Sequence, residues 1–302
     1  MGGLDGKVIM VTGASRGIGL AIARRLAGEG AHLVMVARHR EALDRAKTQV
    51  AGDPVVGPAD VTRAPDVGRM FRRVGRQFGR LDVLVNNAGV FTYKPFVKTT
   101  LKDWRANLET NLTSLFLVTQ AAWPWLAASR RAHIVNILSV SSRRAFPNCS
   151  AYTASKFGAL GLTRVLAEEL RPQKIRVTAI LPGSTNTRLA EEFGFAVRRA
   201  ELIQPEDVTE AVLSALLQPP RTTIEEIWLS PSRGAPLIQA RMSLALNPVG
   251  LRLEFTPSTS LRPTKQLSDS YKICAVCNRV DCRSCGSSLH LRYLHGNHIS
   301  GS

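Results

Sequence analysis

Two side chains near the middle of the chain could together move a proton. Tyr152 and Lys156 stand four residues apart in the run Tyr-Thr-Ala-Ser-Lys, and residues at that spacing share one face of a helix. A phenol has a pKa of about 10, and a nearby ammonium group favours its ionised form. We therefore predict that Lys156 lowers the pKa of Tyr152 and that the tyrosine acts as an acid and a base. The pair alone is also typical of an ordinary helix surface.

Ser139 gives this pair a polar partner. The serine precedes Tyr152 by thirteen residues and follows a short strand-like run. Ligands of α/β proteins bind at the carboxyl ends of the strands, so the Ser139 hydroxyl could hydrogen-bond a substrate oxygen there. The three residues together predict an acid–base site.

A glycine-rich turn follows the first predicted strand. Gly13, Gly17 and Gly19 lie in the run Thr-Gly-Ala-Ser-Arg-Gly-Ile-Gly, and a helical pattern comes next. Glycines let the backbone approach a ligand closely, and the helix N-terminus offers N–H donors and a positive dipole end to a pyrophosphate. In this context the turn predicts a dinucleotide site.

The end of the second predicted strand indicates which dinucleotide binds. An acidic residue at this place usually holds a ribose that lacks a 2′-phosphate, whereas this chain has Arg38 there. Arg16, inside the glycine turn, could close on the same phosphate, because guanidinium groups match phosphate oxygens. We therefore predict NADP(H) in preference to NAD(H). Either arginine could instead be a solvated surface charge.

The order of the elements predicts an α/β fold. Runs rich in β-branched residues alternate with helical patterns, which is typical of a doubly wound, Rossmann-type parallel sheet with helices on both faces. Seven strands are predicted near Lys7–Val11, His32–Val36, Val55–Pro58, Val83–Val85, Ile134–Leu138, Arg176–Ile180 and Glu226–Leu229. Helices are predicted near Gly17–Glu29, Arg40–Val50, Pro65–Phe78, Leu101–Ala127, Tyr152–Leu170 and Pro205–Leu217. We expect a single domain at residues 1–234, followed by a C-terminal extension at 235–302.

Taken together, these motifs resemble those of the short-chain dehydrogenase/reductase family over roughly residues 5–232. The matching positions are Thr12 to Gly19, Asn86-Asn87-Ala88-Gly89, Asn111, Ser139, Tyr152, Lys156 and Pro182-Gly183. The resemblance implies an oxidoreductase that transfers a hydride between NADP(H) and the carbonyl/alcohol group of a small molecule. Within the family, 3-oxoacyl reduction and the oxidation of small hydroxy compounds are both compatible with these residues.

The resemblance implies a proton relay of four residues. Tyr152 donates a proton to the carbonyl during reduction, and Lys156 lowers the tyrosine pKa and binds the nicotinamide ribose. Ser139 orients the substrate oxygen, and Asn111 holds a water in the relay to the lysine.

The resemblance also implies a larger set of cofactor contacts. Asp60 resembles the residue that contacts the adenine, Asn87 lies beside the ribose, and Thr187 matches the contact to the carboxamide. The full set is Gly13, Ser15, Arg16, Gly17, Ile18, Gly19, Arg38, Asp60, Val61, Asn87, Ala88, Gly89, Tyr152, Lys156, Pro182, Gly183, Thr185 and Thr187. Asn86 to Gly89 could instead be only a turn, and Asp60 only a helix cap.

The loop before the catalytic helix departs from the family pattern. Ser142 stands where the family often has glycine, and Arg143 and Arg144 follow it. We hypothesise that these arginines draw in an anionic or carrier-bound substrate; two solvated loop charges are the alternative. The pocket itself is predicted to be formed largely by residues 188–200, whose apolar side chains would suit a hydrophobic group.

A nucleotide-binding regulatory or scaffolding protein on the same fold is the alternative function, because a fold does not fix a function. The intact relay residues weigh against it, since a cofactor sensor needs no proton relay. The net charge of +17 is strongly basic, but no motif or aromatic platform supports nucleic-acid binding. A homo-oligomer, dimer or tetramer, is expected, because the long helices near 101–127 and 152–170 resemble those through which family members pair.

The extension at 235–302 has a composition of its own. It holds four of the five cysteines, as Cys-x-x-Cys pairs beginning at Cys274 and Cys282. Such pairs are typical of zinc sites, but their separation of four residues is far below the usual roughly 15 to 20. We therefore favour a poorly ordered extension without a metal. The single remaining Cys149 indicates a reducing compartment, and no apolar run of about 18 residues predicts a membrane span, so we expect a cytoplasmic protein.

Overall fold

The computed structural model describes residues 3–188 and 199–232. Within these residues, seven parallel strands form one sheet in the order β3-β2-β1-β4-β5-β6-β7. The strands are β1 Val8–Thr12, β2 His32–Ala37, β3 Val55–Pro58, β4 Val83–Asn86, β5 His133–Ile137, β6 Arg176–Pro182 and β7 Glu226–Leu229. The α-helices of the described residues are α1 Gly17–Gly28, α2 Arg40–Lys47, α3 Ala64–Phe78, α4 Leu101–Leu108, α5 Ser114–Ala127, α6 Ser150–Leu170 and α7 Pro205–Leu216. The predicted fold class is confirmed.

One predicted helix is divided in two. The sequence predicts a continuous helix over Leu101–Ala127, but a π-helical turn at Glu109–Thr113 separates α4 from α5. Single π turns inside helices are frequent at functional sites, and this one carries Asn111. The predicted domain boundary near residue 234 and the extension at 235–302 lie outside the described residues.

Alternate residues of each central strand enter different cores. In β1, Ile9 and Val11 pack with residues of α1, α2 and α7, whereas Val8 and Met10 pack with residues of α3 and α5. This alternation is the two-residue period of a strand. All five residues of β1 are buried, as expected for a parallel sheet with both faces covered.

Helix α3 shows how the sequence directs one helix face to the sheet. Its buried residues are Val67, Met70, Phe71 and Val74, which recur at the i, i+3, i+4, i+7 spacing of one helix face. Its last turn ends at Gly79, whose φ of 69° is left-handed and costs glycine little. The opposite face carries arginines and stays in water.

A buried polar network fixes α5 and α6 on the sheet. The Nδ2 of Asn86, on β4, donates to Thr119 Oγ1 on α5 at 3.1 Å and to Asn136 Oδ1 on β5 at 2.9 Å. Asn136 Nδ2 in turn donates to Thr163 Oγ1 on α6 at 2.9 Å. Because a buried polar group is costly when unpaired, this network sets the position of α6, the helix that carries Tyr152 and Lys156.

No helix among the described residues is both long and apolar enough to cross a membrane. The sheet order reverses between β1 and β4, so the loops after these strands diverge and leave a crevice at the carboxyl edge. Ligands of open α/β sheets bind at such a crevice.

Candidate active site

The glycine turn is locked to the segment that follows β4. Thr12 Oγ1 accepts hydrogen bonds from the backbone N–H groups of Asn87 at 2.9 Å and Ala88 at 3.1 Å. The Asn87 side chain donates back to the Thr12 carbonyl at 2.9 Å. The structure therefore brings together two predicted cofactor segments that are about 75 residues apart in the chain.

The turn has no room for side chains at its glycines. A Cβ at Gly13 would lie 2.9 Å from Asn87 Nδ2, and a Cβ at Gly19 would lie 2.4 Å from the Gly13 carbonyl oxygen. Gly13 and Gly17 also have φ values of 66° and 56°, which side chains rarely tolerate. Helix α1 begins here with no side-chain cap and no acidic residue in its first turn. This cradle fits the pyrophosphate of a dinucleotide.

Asp60 and Arg38, which follow β3 and β2, lie close together at one end of the crevice. Asp60, just after β3, accepts hydrogen bonds at Oδ1 from Thr62 N at 3.0 Å and Thr62 Oγ1 at 2.7 Å. Burial raises the pKa of the Asp60 carboxyl, but these hydrogen bonds and the charges of Arg38 and Arg63 outweigh it, so the pKa is lowered. Arg38 is exposed and close enough to act on Asp60. The ionised carboxylate and the arginine therefore share this end of the crevice.

The loop after β6 closes the other side of the glycine turn. Thr187 lies against Gly17, with its Cγ2 3.6 Å from where a Cβ would stand. The loop is shaped by hydrogen bonds from Gly183 N to the Leu229 carbonyl at 2.8 Å and from Thr185 Oγ1 to the Gly183 carbonyl at 3.0 Å. The predicted contacts after β6 thus face the same crevice as the turn after β1.

Asn111 links the loop after β4 to helix α6. Its Oδ1 accepts from Val90 N at 2.8 Å, and its Nδ2 donates to the Val90 carbonyl at 2.9 Å and to Ser155 Oγ at 2.9 Å. Ser155 then donates to the Tyr152 carbonyl at 2.7 Å. Because Asn111 lies in the π turn, the turn directs its side chain between the loop after β4 and helix α6.

Tyr152, Lys156 and Ser139 meet at the carboxyl end of β5. Lys156 Nζ donates to the Ile137 carbonyl at 3.2 Å and lies 5.7 Å from the Tyr152 ring centroid. The Ser139 side chain hydrogen-bonds the tyrosine, and its Oγ also accepts from Ser141 N at 3.1 Å. The structure therefore brings the four predicted relay residues together.

The tyrosine pKa moves in the direction opposite to the sequence prediction. Burial raises the pKa of Tyr152 to about 12, against a smaller lowering by the hydrogen bond with Ser139. Burial also lowers the pKa of Lys156 to about 8. Both groups are removed from water, which disfavours their charged forms. In this structure Tyr152 is a protonated phenol at neutral pH.

An aromatic cluster covers the tyrosine. Phe91 packs edge-on against Tyr152, with ring centroids 4.8 Å apart, and Tyr93 stacks on Phe91 at 6.3 Å. Phe146 and the buried thiol of Cys149 complete the cluster. The sequence motifs did not single out these aromatic residues, although Phe91 follows Asn86 to Gly89 by only two positions.

Arg143 does not fit the hypothesis that the two loop arginines attract an anionic substrate. Its guanidinium group forms an ion pair with Glu226 on β7 at 2.7 Å and lies 5.1 Å from the centroid of the Trp228 ring. Arg164 of α6 binds the same carboxylate at 3.0 Å. Arg143 is thus held at the β7 edge of the sheet, and only the exposed Arg144 remains for the proposed attraction of anions.

Several predicted residues contribute backbone or packing rather than side-chain contacts. Val61 is buried in the core beneath α3, and Ile18 is partly buried against the core beneath α1, so both side chains contribute packing. A Cβ at Gly89 would stand 3.2 Å from Asn111 Oδ1, so this glycine makes room for the asparagine. Ser15 lies partly buried in the turn itself.

Ser155 is a site residue that the sequence reasoning missed. It is fully buried between Asn111 and Tyr152, and its place directly before Lys156 in the tyrosine motif was the available signal. Most of the predicted pocket segment, residues 189–198, and the Cys-x-x-Cys pairs fall outside the described residues. Within the described residues, no three metal-ligating side chains lie together.

The family model described as short chain dehydrogenase matches residues 7–196. A protein of Staphylococcus aureus strain USA300, described as an uncharacterized oxidoreductase, is 33% identical over 229 residues, which cover 76% of this chain and 98% of that protein.

Solved structures give the same family. A metagenomic short-chain oxidoreductase in complex with NADP is 34% identical, with a TM-score of 0.67 and coverage of 76% of this chain and 99% of that one. The 3-ketoacyl-(acyl-carrier-protein) reductase of Brucella melitensis, complexed with NADH, is 28% identical, with a TM-score of 0.70 and coverage of 76% and 98%. With this fold, this site and these relatives, the chain belongs to the short-chain dehydrogenase family of oxidoreductases.

Proposed function

We propose that the protein reduces a carbonyl group of a small molecule to an alcohol with NADPH, and catalyses the reverse reaction with NADP+. One observation carries the proposal: Tyr152, Lys156 and Ser139 are buried together at the carboxyl end of β5, beside the dinucleotide cradle of Gly13 and Gly17. A protein that only sensed the cofactor would not need to bury an ionisable pair there.

The relay residues have distinct tasks. The bound nicotinamide would supply the hydride to the carbonyl carbon. Tyr152 then gives its phenolic proton to the carbonyl oxygen, and its pKa of about 12 keeps that proton in place at neutral pH until the oxygen gains charge. The Ser139 hydroxyl orients the oxygen, and Lys156, buried next to the ring, stabilises the tyrosinate and binds the nicotinamide ribose.

The arginines at the adenosine end support NADP(H) as the preferred cofactor. Arg38 is exposed beside Asp60, and Arg16 is exposed in the glycine turn, so both guanidinium groups can reach a 2′-phosphate. The metagenomic relative holds NADP, whereas that of Brucella melitensis holds NADH.

The aromatic cluster supports a substrate with an apolar group. Phe91 packs edge-on against Tyr152, and Tyr93 and Phe146 belong to the same cluster. Ring surfaces of this kind favour a flat or chain-like hydrophobic substituent. Aromatic ketones and 3-oxoacyl thioesters both carry such a group next to the reacting carbonyl. The relation to a 3-ketoacyl reductase places thioesters among the first compounds to test.

The same helices that frame the site support a homo-oligomer. Phe116 and Trp123 on α5, and Phe157 and Val165 on α6, expose between 37% and 51% of their surface. Each pair lies on one face of its helix, and large exposed apolar residues gathered in this way mark interaction sites. We propose that these faces bind a second copy of the chain. A cytoplasmic location stays a prediction from the cysteine content.

A screen of NADPH oxidation tests the activity. Purified protein is offered ketones, 3-oxoacyl thioesters and sugars, and Tyr152→Phe is the control, since it keeps the ring and removes the proton. We expect at least one substrate for which the variant is slower by about 10²- to 10⁴-fold. If no compound is turned over faster by the parent protein than by the variant, although NADPH binds, the regulatory or scaffolding alternative replaces this proposal.

A further inference from the structure

Helix α4 and the π turn present three polar side chains at four-residue spacing to the loop after β4. Asp103, Asn107 and Asn111 lie on one side of this helical segment, and we call them the ladder. Each binds a different residue of the loop: Asn111 binds both backbone groups of Val90, as described above. The other two contacts continue this pattern toward the N-terminus of α4.

Asn107 and Asp103 hold the next two positions of the loop. Asn107 Nδ2 donates to Thr92 Oγ1 at 2.8 Å and to the Asp103 carbonyl at 2.9 Å. The Asp103 carboxylate accepts from Lys94 Nζ at 2.8 and 2.9 Å. From Asp103 to Asn111, the ladder therefore contacts residues 94, 92 and 90 in turn, so the loop runs antiparallel to the helix.

The two spacings match physically. Four residues of helix rise about 6 Å, and two residues of extended chain rise about 6.6 Å. An extended loop that runs antiparallel to the helix can thus meet every fourth helical residue with every second residue of its own. In such a chain the intervening side chains point to the opposite side.

Those intervening residues are Phe91 and Tyr93, which we call the wall. Phe91 packs edge-on against Tyr152 and Tyr93 stacks on Phe91. Asn148 Nδ2 donates to the Tyr93 hydroxyl at 3.1 Å, and the Lys94 N–H donates to the Asn148 carbonyl at 2.8 Å. The wall is therefore fixed from both sides, by α4 and by the loop before α6.

Burial of Asn107 is less favourable than burial of an apolar residue would be. It is completely buried, and its Oδ1 has no hydrogen-bond partner among the described residues. Because an unpaired buried acceptor is unfavourable, a leucine would fill this position at less cost to the helix. The amide is explained by its contact with Thr92.

We propose that the ladder sets substrate selection by holding the wall against Tyr152, with Asn107 as its main positioning residue. Loss of an Asn107 or Asp103 contact lets the wall move away from the tyrosine. A bulky substituent next to the carbonyl then loses its packing surface, while a small ketone that reacts without that surface is little affected. The kinetic part of this inference rests on the proposed carbonyl reduction; the geometric part does not.

Four variants test the ladder from the loop side, so that α4 keeps its own residues. Thr92→Val removes the acceptor of Asn107 and keeps the shape of the side chain, and Thr92→Ser restores a hydroxyl. Lys94→Met removes the ion pair with Asp103. Lys98→Met makes the same change in the same loop outside the ladder and is the matched control.

Kinetics with NADPH compare the largest and the smallest ketones that the screen finds. We expect Thr92→Val to raise KM for the large ketone about tenfold, with kcat and the small ketone changed by less than threefold. Thr92→Ser should return both values to within about twofold of the parent, and Lys98→Met should match the parent. Equal increases of KM for both ketones, or failure of Thr92→Ser to rescue, would overturn the proposal.

Amide hydrogen exchange of the peptide that spans residues 88–95 gives a second measurement that needs no turnover. Thr92→Val and Lys94→Met should accelerate its exchange about tenfold, and Lys98→Met should leave it unchanged. Unchanged exchange in the first two variants would show that the ladder does not hold the loop. A parent protein without any carbonyl turnover would instead refute the proposed function, and the exchange would still decide the ladder.

Discussion

Tyr152, Lys156 and His133 are three titratable side chains that the fold removes from water. Burial moves the pKa of the tyrosine to about 12, that of the lysine to about 8 and that of the histidine to about 3. Each change favours the neutral form of the group. Tyr152 and Lys156 form the pair that we propose for the proton transfer, whereas the histidine lies at the start of β5, away from the carboxyl edge.

His133 makes the stability of the protein depend on pH. Above a pH of about 6.5 the imidazole is neutral in both the folded and the unfolded chain. As pH falls below that value, His133 binds a proton in the unfolded chain, but in the folded protein it binds one only near pH 3. The free energy of unfolding should therefore fall by up to about 1.4 kcal/mol per pH unit from this group.

Urea denaturation between pH 7 and pH 4.5 measures this effect. His133→Gln, which cannot take up the proton, should flatten the slope, and His39→Gln, at an exposed histidine before α2, should leave it as in the parent. Identical slopes for the parent and His133→Gln would contradict the prediction.

Arg38 should decide the preference between cofactors. A charge-assisted hydrogen bond contributes about 1.5 to 3 kcal/mol, so Arg38→Ala should raise KM for NADPH by about 10- to 100-fold. KM for NADH should change little, because NADH has no 2′-phosphate. The matched control is Arg40→Ala, at an exposed arginine that pairs with Asp44 at 2.8 Å. Equal losses with both cofactors would remove Arg38 from the phosphate site.

At the scale of elements, α3 contains two glycines, and only one of them is packed too closely against a neighbour to accept a side chain. A Cβ at Gly75 would meet the Trp125 ring at 2.1 Å, whereas a Cβ at Gly68 would meet only the flexible end of Arg72 at 3.4 Å. Gly75→Ala should therefore lower the free energy of unfolding by about 1 to 3 kcal/mol through overpacking. Gly68→Ala should raise it by about 0.5 to 1 kcal/mol, because alanine is the better helix former.

Chemical denaturation of both variants checks this pair. Since the helix and the substitution are the same, any general effect of alanine cancels in the comparison. Stabilisation by both substitutions would show that the Trp125 ring moves aside without cost.

The elements themselves were largely predictable from periodicity. β3 and β7 have the predicted bounds, and no strand end differs by more than two residues, because β-branched runs between turn residues mark buried strands. The π turn was not predictable, because the apolar pattern continues through it and Val90, the partner of Asn111 in this turn, lies about twenty residues away in the chain. The Tyr152 motif indicated which residues meet, but not that burial would dominate their pKa values.

At the scale of the whole molecule, the exposed apolar faces of α5 and α6 matter more for self-association than the net charge of +17. That value is the excess that remains after every acidic residue is counted, and ion pairs only fix where some charges lie: Arg143 and Arg164 share Glu226, and Arg25 pairs with Glu29 and Glu210. A stable interface usually buries about 800 Å² per partner, and large apolar side chains supply most of its free energy. The helix faces around Phe157 are therefore where we expect copies of the chain to meet.

Phe157→Glu should reduce the mass of the protein in solution to that of a smaller assembly. A charge in an apolar interface is unfavourable unless it is paired. Leu217→Glu places the same charge at a residue that is 48% exposed at the end of α7, on the other face of the sheet, and should leave the mass unchanged. Sedimentation at micromolar concentration makes the comparison, and equal masses for the parent and Phe157→Glu would exclude this face.

The alternation between the ladder and the wall constrains how the loop after β4 can evolve or be engineered. Substitutions at positions 91 and 93 can change the shape of the pocket without touching the contacts with α4. Insertion or deletion of one residue before position 92 would instead exchange the two sides, turning aromatic rings onto polar helix residues and hydroxyl or ammonium groups onto Tyr152. The loop should therefore tolerate substitutions at positions 91 and 93, whereas a change in its length should be unfavourable.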